Sequence, residues 1–218
     1  KEKAIHDFVV NTLQYDSSTD DLEKIPETSR SALGALETKK AVCEAYAELM
    51  QLLLNKSGIP CRMVTGMSDD GIAHVWNMVL IGGNTYHLDA TWDDPVISSG
   101  ESILNYNYFN LNDEEMLKEH IWVIEDYPRC TSEEENYYVK NKLVVDSHDS
   151  LVGKLKETVS NKEDRITIKL RGFSASDSDI GQIMNDINRE TGSGLSSYKY
   201  SISEKTQIIT LYDIEYIR

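Results

Sequence analysis

Nothing in this 218-residue sequence is apolar for long enough to cross a bilayer: no run approaches the roughly 18 residues a membrane helix needs. A composition of 40% hydrophobic and 27% charged residues is that of a soluble globular protein. Positive charge is scarce. Lys and Arg number 22 against 37 Asp and Glu, and residues 1–147 hold 12 basic and 26 acidic side chains where residues 148–218 hold 10 and 11. A surface of that sign repels phosphate backbones and anionic headgroups, so neither nucleic acid nor membrane is an expected partner. A cationic peptide is what it would attract, although the same charge also serves solubility.

Cysteine is sparse as well. Cys43, Cys61 and Cys130 form no CxxC pair, which argues against a zinc knuckle or a redox dithiol, and no metal or cofactor is expected. An odd count leaves at least one thiol free. Cys61, between Pro60 and an apolar strand, reads as a small buried hydrophobe. Repeats and low-complexity segments are absent. The chain opens at Lys1 without an initiator Met or a signal-peptide apolar stretch, and the expectation is a trimmed or mature fragment of a secreted or cell-surface protein.

What is present falls into two regions with a boundary near Asp146. Residues 2–13 place Ala4, Ile5, Phe8, Val9 and Leu13 on one helical stripe, with His6 off it and expected to face solvent. Residues 15–40 read as a long polar loop with one helical turn near 29–36. "VCEAYAELMQLLLNK" (42–56) is the strongest helix, with Ala45, Leu49, Leu52 and Leu53 expected on its buried face and "SGIP" as its stop. A strand follows at 61–67, then a hairpin over 73–94 that turns at Gly82 and Gly83. Asn112 can cap a short helix over 114–119, and 131–147 read as a linker or peripheral segment. The remainder alternates as helix 149–160, strand 165–173, a helix from Asp177 and two final strands, an αβαββ module with no pairing of acid and base that suggests catalysis.

Cys43 carries the first chemical signal. It opens the strong helix directly after Lys39 and Lys40, and helix N-termini and nearby cations lower a thiol pKa from about 8.5 into the range of roughly 3.5 to 7.5. A buried structural cysteine would suit the same position. The hairpin adds the second signal, because His74, His87 and Asp89 stand where a core strand would carry Val or Ile. With Gly82 and Gly83 central to a two-residue turn, paired positions sum to 165, so His74 faces Thr91 and Asp89 lies diagonal to it on the same face. A carboxylate there fixes the imidazole tautomer and leaves the other ring nitrogen to take a proton from a thiol. The same register sets His87 opposite Met78 on that face, and a three-residue turn through Gly83 and Asn84 would move Asp89 to the other side.

"AVCEAYAELMQLLLNKSGIPCRMVTG", "AHVWNMVLIGGNTYHLDATWDDP" and "YFNLNDEEMLKEH" together resemble the transglutaminase-like superfamily, in its bacterial, papain-related branch, over roughly residues 1–130. The resemblance rests on Cys-x-x-Tyr at a helix start, His-x-Trp-Asn on a strand and Asp-x-Thr-Trp on the next. It implies an α+β fold in which a papain/transglutaminase-like core, a helix packed on an antiparallel sheet, precedes the small C-terminal module. It further implies Cys43 as nucleophile, His74 as general base and acid, and Asp89 as the residue that orients His74, with no catalytic counterpart for His87. Ala41 and Glu44 stand where the family often has Gly and Gln, and all three Trp follow Cys43, so the upstream Trp that true transglutaminases use for the oxyanion is missing. The Cys43 amide and a side chain from the stretch Asn11 to Tyr15 are the expected replacement. The reaction expected is attack on a peptide or protein amide through a thioester, ending in hydrolysis, with isopeptide cross-linking and a non-catalytic surface-binding module as the competing readings.

Overall fold

Gly82 and Gly83 set the geometry on which the candidate site depends. Their φ values of 59° and 88° fit a two-residue turn whose central residues both lie in the left-handed region. The strands they join, β4 (Ala73–Ile81) and β5 (Asn84–Leu88), pair as Ile81 with Asn84, Met78 with His87 and Asn77 with Leu88, the register expected from the sequence. The computed structural model describes residues 1–19, 24–94 and 104–217. Expectations for the middle of the 15–40 loop and for the stretch after Asp94 fall partly on 20–23 and 95–103, outside the described residues.

The chain divides into two compact units, Lys1–Tyr137 and Tyr138–Arg218. The sequence reading set the boundary near Asp146. In the first unit β4 and β5 belong to an antiparallel five-stranded sheet completed by β3 (Cys61–Ser68), β6 (Phe109–Leu111) and β7 (His120–Ile121), in the order β6-β5-β4-β3-β7. Both faces are covered, so Trp76, Asn77, Met78 and Val79 are all buried in succession. On one face Val79, Tyr86 and Leu88 pack with Val9, Val10 and Leu13 of the N-terminal segment and with α3 (Cys43–Lys56) through Tyr46, Leu49, Met50 and Leu54. On the other, Val64, Trp76 and Met78 meet Leu111, Met116 and Trp122. This is an α+β core with a helix on an antiparallel sheet, as expected.

Two faces are rotated relative to expectation. In α1 (Glu2–Thr12) Ala4 and Phe8 are exposed, and His6 is fully buried rather than solvated. Asp93 supplies its partner, with Nε2 3.0 Å from Asp93 Oδ2, while Phe109 meets the ring edge-on. In α3 Leu52 is exposed and Leu53 only half-buried, because Tyr46, Met50 and Leu54 take the inward positions. The expected loop holds a 3₁₀ turn at Glu27–Ser29, α2 (Ala32–Thr38) and a parallel pair, β1 (Gln14–Tyr15) with β2 (Lys40–Ala41). Asn112 does cap a helix, accepting from the Glu115 amide, but α4 (Asp113–Met116) is shorter and begins one residue earlier than predicted.

The second unit has the predicted αβαββ order: α6 (His148–Ser160), β9 (Ile166–Leu170), α7 (Asp177–Thr191), β10 (Leu195–Ser203) and β11 (Ile208–Tyr216). Capping boxes at Ser147 and Ser176 start both helices, and Leu151, Leu155, Ile180, Ile183, Met184 and Ile187 point into one core with Ile168, Ile209 and Leu211. The segment expected to be a linker or peripheral segment contains short elements, one of them at the edge of the sheet. It holds α5 (Tyr137–Lys140) and β8 (Val144–Val145), and β8 pairs in parallel with β9 at the edge of the sheet β10-β11-β9-β8. A two-residue strand is too short to show a period of its own.

Candidate active site

The pairing of β1 with β2 sets Tyr15 beside Ala41, just ahead of α3, and the Val42 amide is held by the Ser29 carbonyl at 2.8 Å. Cys43 is therefore the first residue of α3, half-buried. Val42 at the N-cap has no polar side chain, so no cap occupies the first-turn amides, which stabilise negative charge at a helix N-terminus. Arg30 meets Glu44 at 3.0 Å and offsets the acidic neighbour of the thiol. Burial pushes the thiols of Cys61 and Cys130 up to about 12. Cys61 packs against the apolar core but is half-buried, short of the buried position expected of it.

His74 lies on β4 opposite Gly66 of β3. Its Nε2 stands 2.6 Å from Oδ2 of Asp89, the first residue after β5, and Asp89 Oδ1 accepts from the amides of Thr91 and Trp92 at 3.0 and 3.2 Å. An ionised carboxylate only accepts, so Nε2 carries the proton and Nδ1 is left over. Burial alone would depress the His74 pKa, but Asp89 and then Cys43 outweigh it and raise the ring above its ordinary value. Burial likewise opposes the Asp89 charge, yet His74 and His120 hold the carboxyl well below the usual carboxylate range. The His74 ring stacks on Trp76 at 5.9 Å, with Trp92 at 5.4 Å.

Cys43 and His74 line one cleft of about 680 Å³ together with Tyr15, Gly66, Ile72 and Trp92. Of the stretch expected to supply an oxyanion donor, Tyr15 reaches this cleft, whereas the Asn11 side chain is bonded to the Asp7 carbonyl at 2.7 Å. His87 plays a different part. Its Nδ1 accepts from the Trp76 indole and its Nε2 donates to Asp113 Oδ1, both at 3.0 Å, and burial lowers its pKa, so it is a neutral core histidine. Sequence reasoning missed His120, whose Nε2 lies 3.0 Å from the same Asp89 oxygen that meets His74. It sits on a two-residue strand with no local period, and only the chance to read "KEH" as strand-forming could have flagged it. Two sets of donor atoms, His74 with Asp89 and His120, and His87 with Asp113 and Cys130, are close enough together to surround a cation. Hydrogen bonds between imidazole and carboxylate account for the acids and histidines of both sets without one.

Comparison with known proteins adds to this geometry. A family model described as "Transglutaminase-like superfamily" matches residues 1–90. Kyphoscoliosis peptidase of Mus musculus is 27% identical over 120 residues, covering 49% of this chain and 17% of that protein. Its Homo sapiens counterpart is 25% identical over 165 residues, covering 65% and 24%. The chain thus spans about a quarter or less of the length of the curated relatives it matches. Among solved structures, a "Putative Cysteine Protease" from Cytophaga hutchinsonii is similar with a TM-score of 0.34 and 28% identity, over 41% of this chain and 30% of that one. A structure described as a TGase gives a TM-score of 0.36 and 21% identity, over 41% and 25%. The residues matched by the transglutaminase-like superfamily model, 1–90, include Cys43, His74 and Asp89.

Proposed function

We propose that this chain performs cysteine-dependent acyl transfer on peptide amides through Cys43, His74 and Asp89, with water as the final acceptor. The observation that carries the reading is the convergence in one cleft of a helix-terminal thiol and an imidazole whose far nitrogen is bonded to a buried carboxylate at 2.6 Å. His74 Nδ1 holds the proton given up by Cys43, in keeping with the raised pKa of the ring, and the thiolate adds to the amide carbonyl. The tetrahedral oxyanion is met by the Cys43 amide and the Tyr15 hydroxyl. Collapse breaks the C–N bond, and the imidazolium returns the proton to the departing amine, leaving a thioester. Water then attacks, again through His74, to give the acid and the free thiol. Asp89 stays ionised throughout and holds the tautomer. The acidic first region favours cationic peptides on encounter.

The absence of any Trp before Cys43 supports hydrolysis over cross-linking. Incubation with glutaminyl and cationic peptides in the presence of a fluorescent amine, read by mass spectrometry, separates the two. Shortened or deamidated peptide without amine is the expected product. Amine incorporated in place of water would overturn hydrolysis and make the chain a cross-linker.

A further inference from the structure

Asp89 is bonded to a second histidine for which the reaction above has no use. His120 lies on β7 opposite Ser68 of β3, and its Nε2 stands 3.0 Å from Asp89 Oδ2, the oxygen that meets His74 at 2.6 Å. The carboxylate can only accept, so both rings donate to one oxygen. His120 is fully buried, with ring centroids of Trp92 at 4.2 Å, Trp76 at 5.0 Å and Tyr108 at 5.6 Å. Its Nδ1 has no hydrogen-bond partner among the described residues. Leaving a buried ring nitrogen unpaired destabilises the fold. An aromatic hydrocarbon would fill the same space without that penalty, so the bond made by Nε2 is what distinguishes histidine here.

We infer that His120 is a positioning residue: its Nε2–H fixes Asp89 Oδ2 at the point from which that oxygen aims the His74 ring at Cys43. The inference rests on the reading of Cys43, His74 and Asp89 given above. Backbone amides pin Oδ1 from one side. Without His120, Oδ2 is held only by the ring it is meant to hold, and the two can swing together. A hydrogen bond to a charged group is worth enough that its loss should cost about tenfold in thiol reactivity.

The test uses the full chain. Ring-nitrogen NMR should show His120 as the Nε2–H tautomer with Nδ1 bare, and a low-field proton on His74 Nε2. His120→Phe, which keeps the stacking, should lose that low-field proton and slow Cys43 alkylation by iodoacetamide about tenfold. His120→Gln can still donate to Asp89 and should recover most of both. A Phe variant that alkylates at the parental rate with the low-field signal intact would overturn the inference, and so would an Nδ1–H tautomer of His120 in the parent, a result that needs no variant to fold. If Cys43 of the parent is itself inert, the catalytic reading fails, while the His74 signal in the Phe variant still decides whether His120 governs the His74–Asp89 bond.

Discussion

At the scale of single residues, Asp89 carries the most. It is fully buried, accepts four hydrogen bonds from two imidazoles and two amides, and remains charged. Replacing Asp89 with Asn keeps the size and removes the charge; the expected loss is about 10³- to 10⁴-fold in turnover, because an amide supports the wrong tautomer of His74. Stability should report the same pair. The lowered folded pKa of Asp89 means that its contribution is present above about pH 4, the unfolded value, and is lost as pH falls further. His74 has a raised folded pKa, so its contribution is complete below about pH 6.5 and is lost as pH rises through the elevated value. Urea unfolding followed from roughly pH 3 to 9 should therefore peak between these limits and fall on both flanks, with both slopes flattened in Asp89→Asn. Superimposable profiles would show that the pair contributes nothing to folding.

At the scale of elements, Gly66 joins strand packing to the site. A Cβ there would lie 2.2 Å from the Ile121 carbonyl oxygen and 2.7 Å from Trp76, so Gly66→Ala must push β7 from β3. Overpacking of this kind costs about 1 to 3 kcal/mol, and because β7 carries His120 the substitution should slow Cys43 alkylation as well as lower the melting temperature. Asn112→Ala is the contrasting case: loss of the bond to the Glu115 amide should cost about 1 kcal/mol and leave thiol reactivity unchanged. The elements recovered from the sequence are those with strong local rules, namely the long apolar period of α3, the Gly-Gly turn that fixes the β4–β5 register, the cap at Asn112 and the helix start at Asp177. Those it missed depend on partners distant in sequence. His6 is buried because Asp93 is there to meet it, β8 exists because β9 offers an edge, and Leu52 is exposed because Tyr46 and Met50 already fill the sheet-facing side of α3. The placement of His74 and Asp89 was legible for the opposite reason, since one short turn sets both.

At the scale of the whole molecule, the chain holds two units with separate apolar cores, one on each face of the five-stranded sheet for Lys1–Tyr137 and one beneath the four-stranded sheet for Tyr138–Arg218. The described residues that line the Cys43 cleft lie between Tyr15 and Asp94, within Lys1–Tyr137. Residues 1–137 produced by themselves should therefore fold and keep the reactivity of Cys43; a fragment that is unfolded by circular dichroism would show that the first core depends on the second unit. The charge asymmetry belongs to this scale too, and raising ionic strength should weaken turnover of cationic peptides while sparing neutral ones. The central claim, that one thiol of three is activated by His74, is tested most directly by iodoacetamide labelling at about pH 6 with peptide-level mass spectrometry. Selective modification of Cys43, silence of Cys61 and Cys130, and loss of the Cys43 reaction in His74→Ala are the expected results. Equal labelling of Cys43 with and without His74 would contradict the claim.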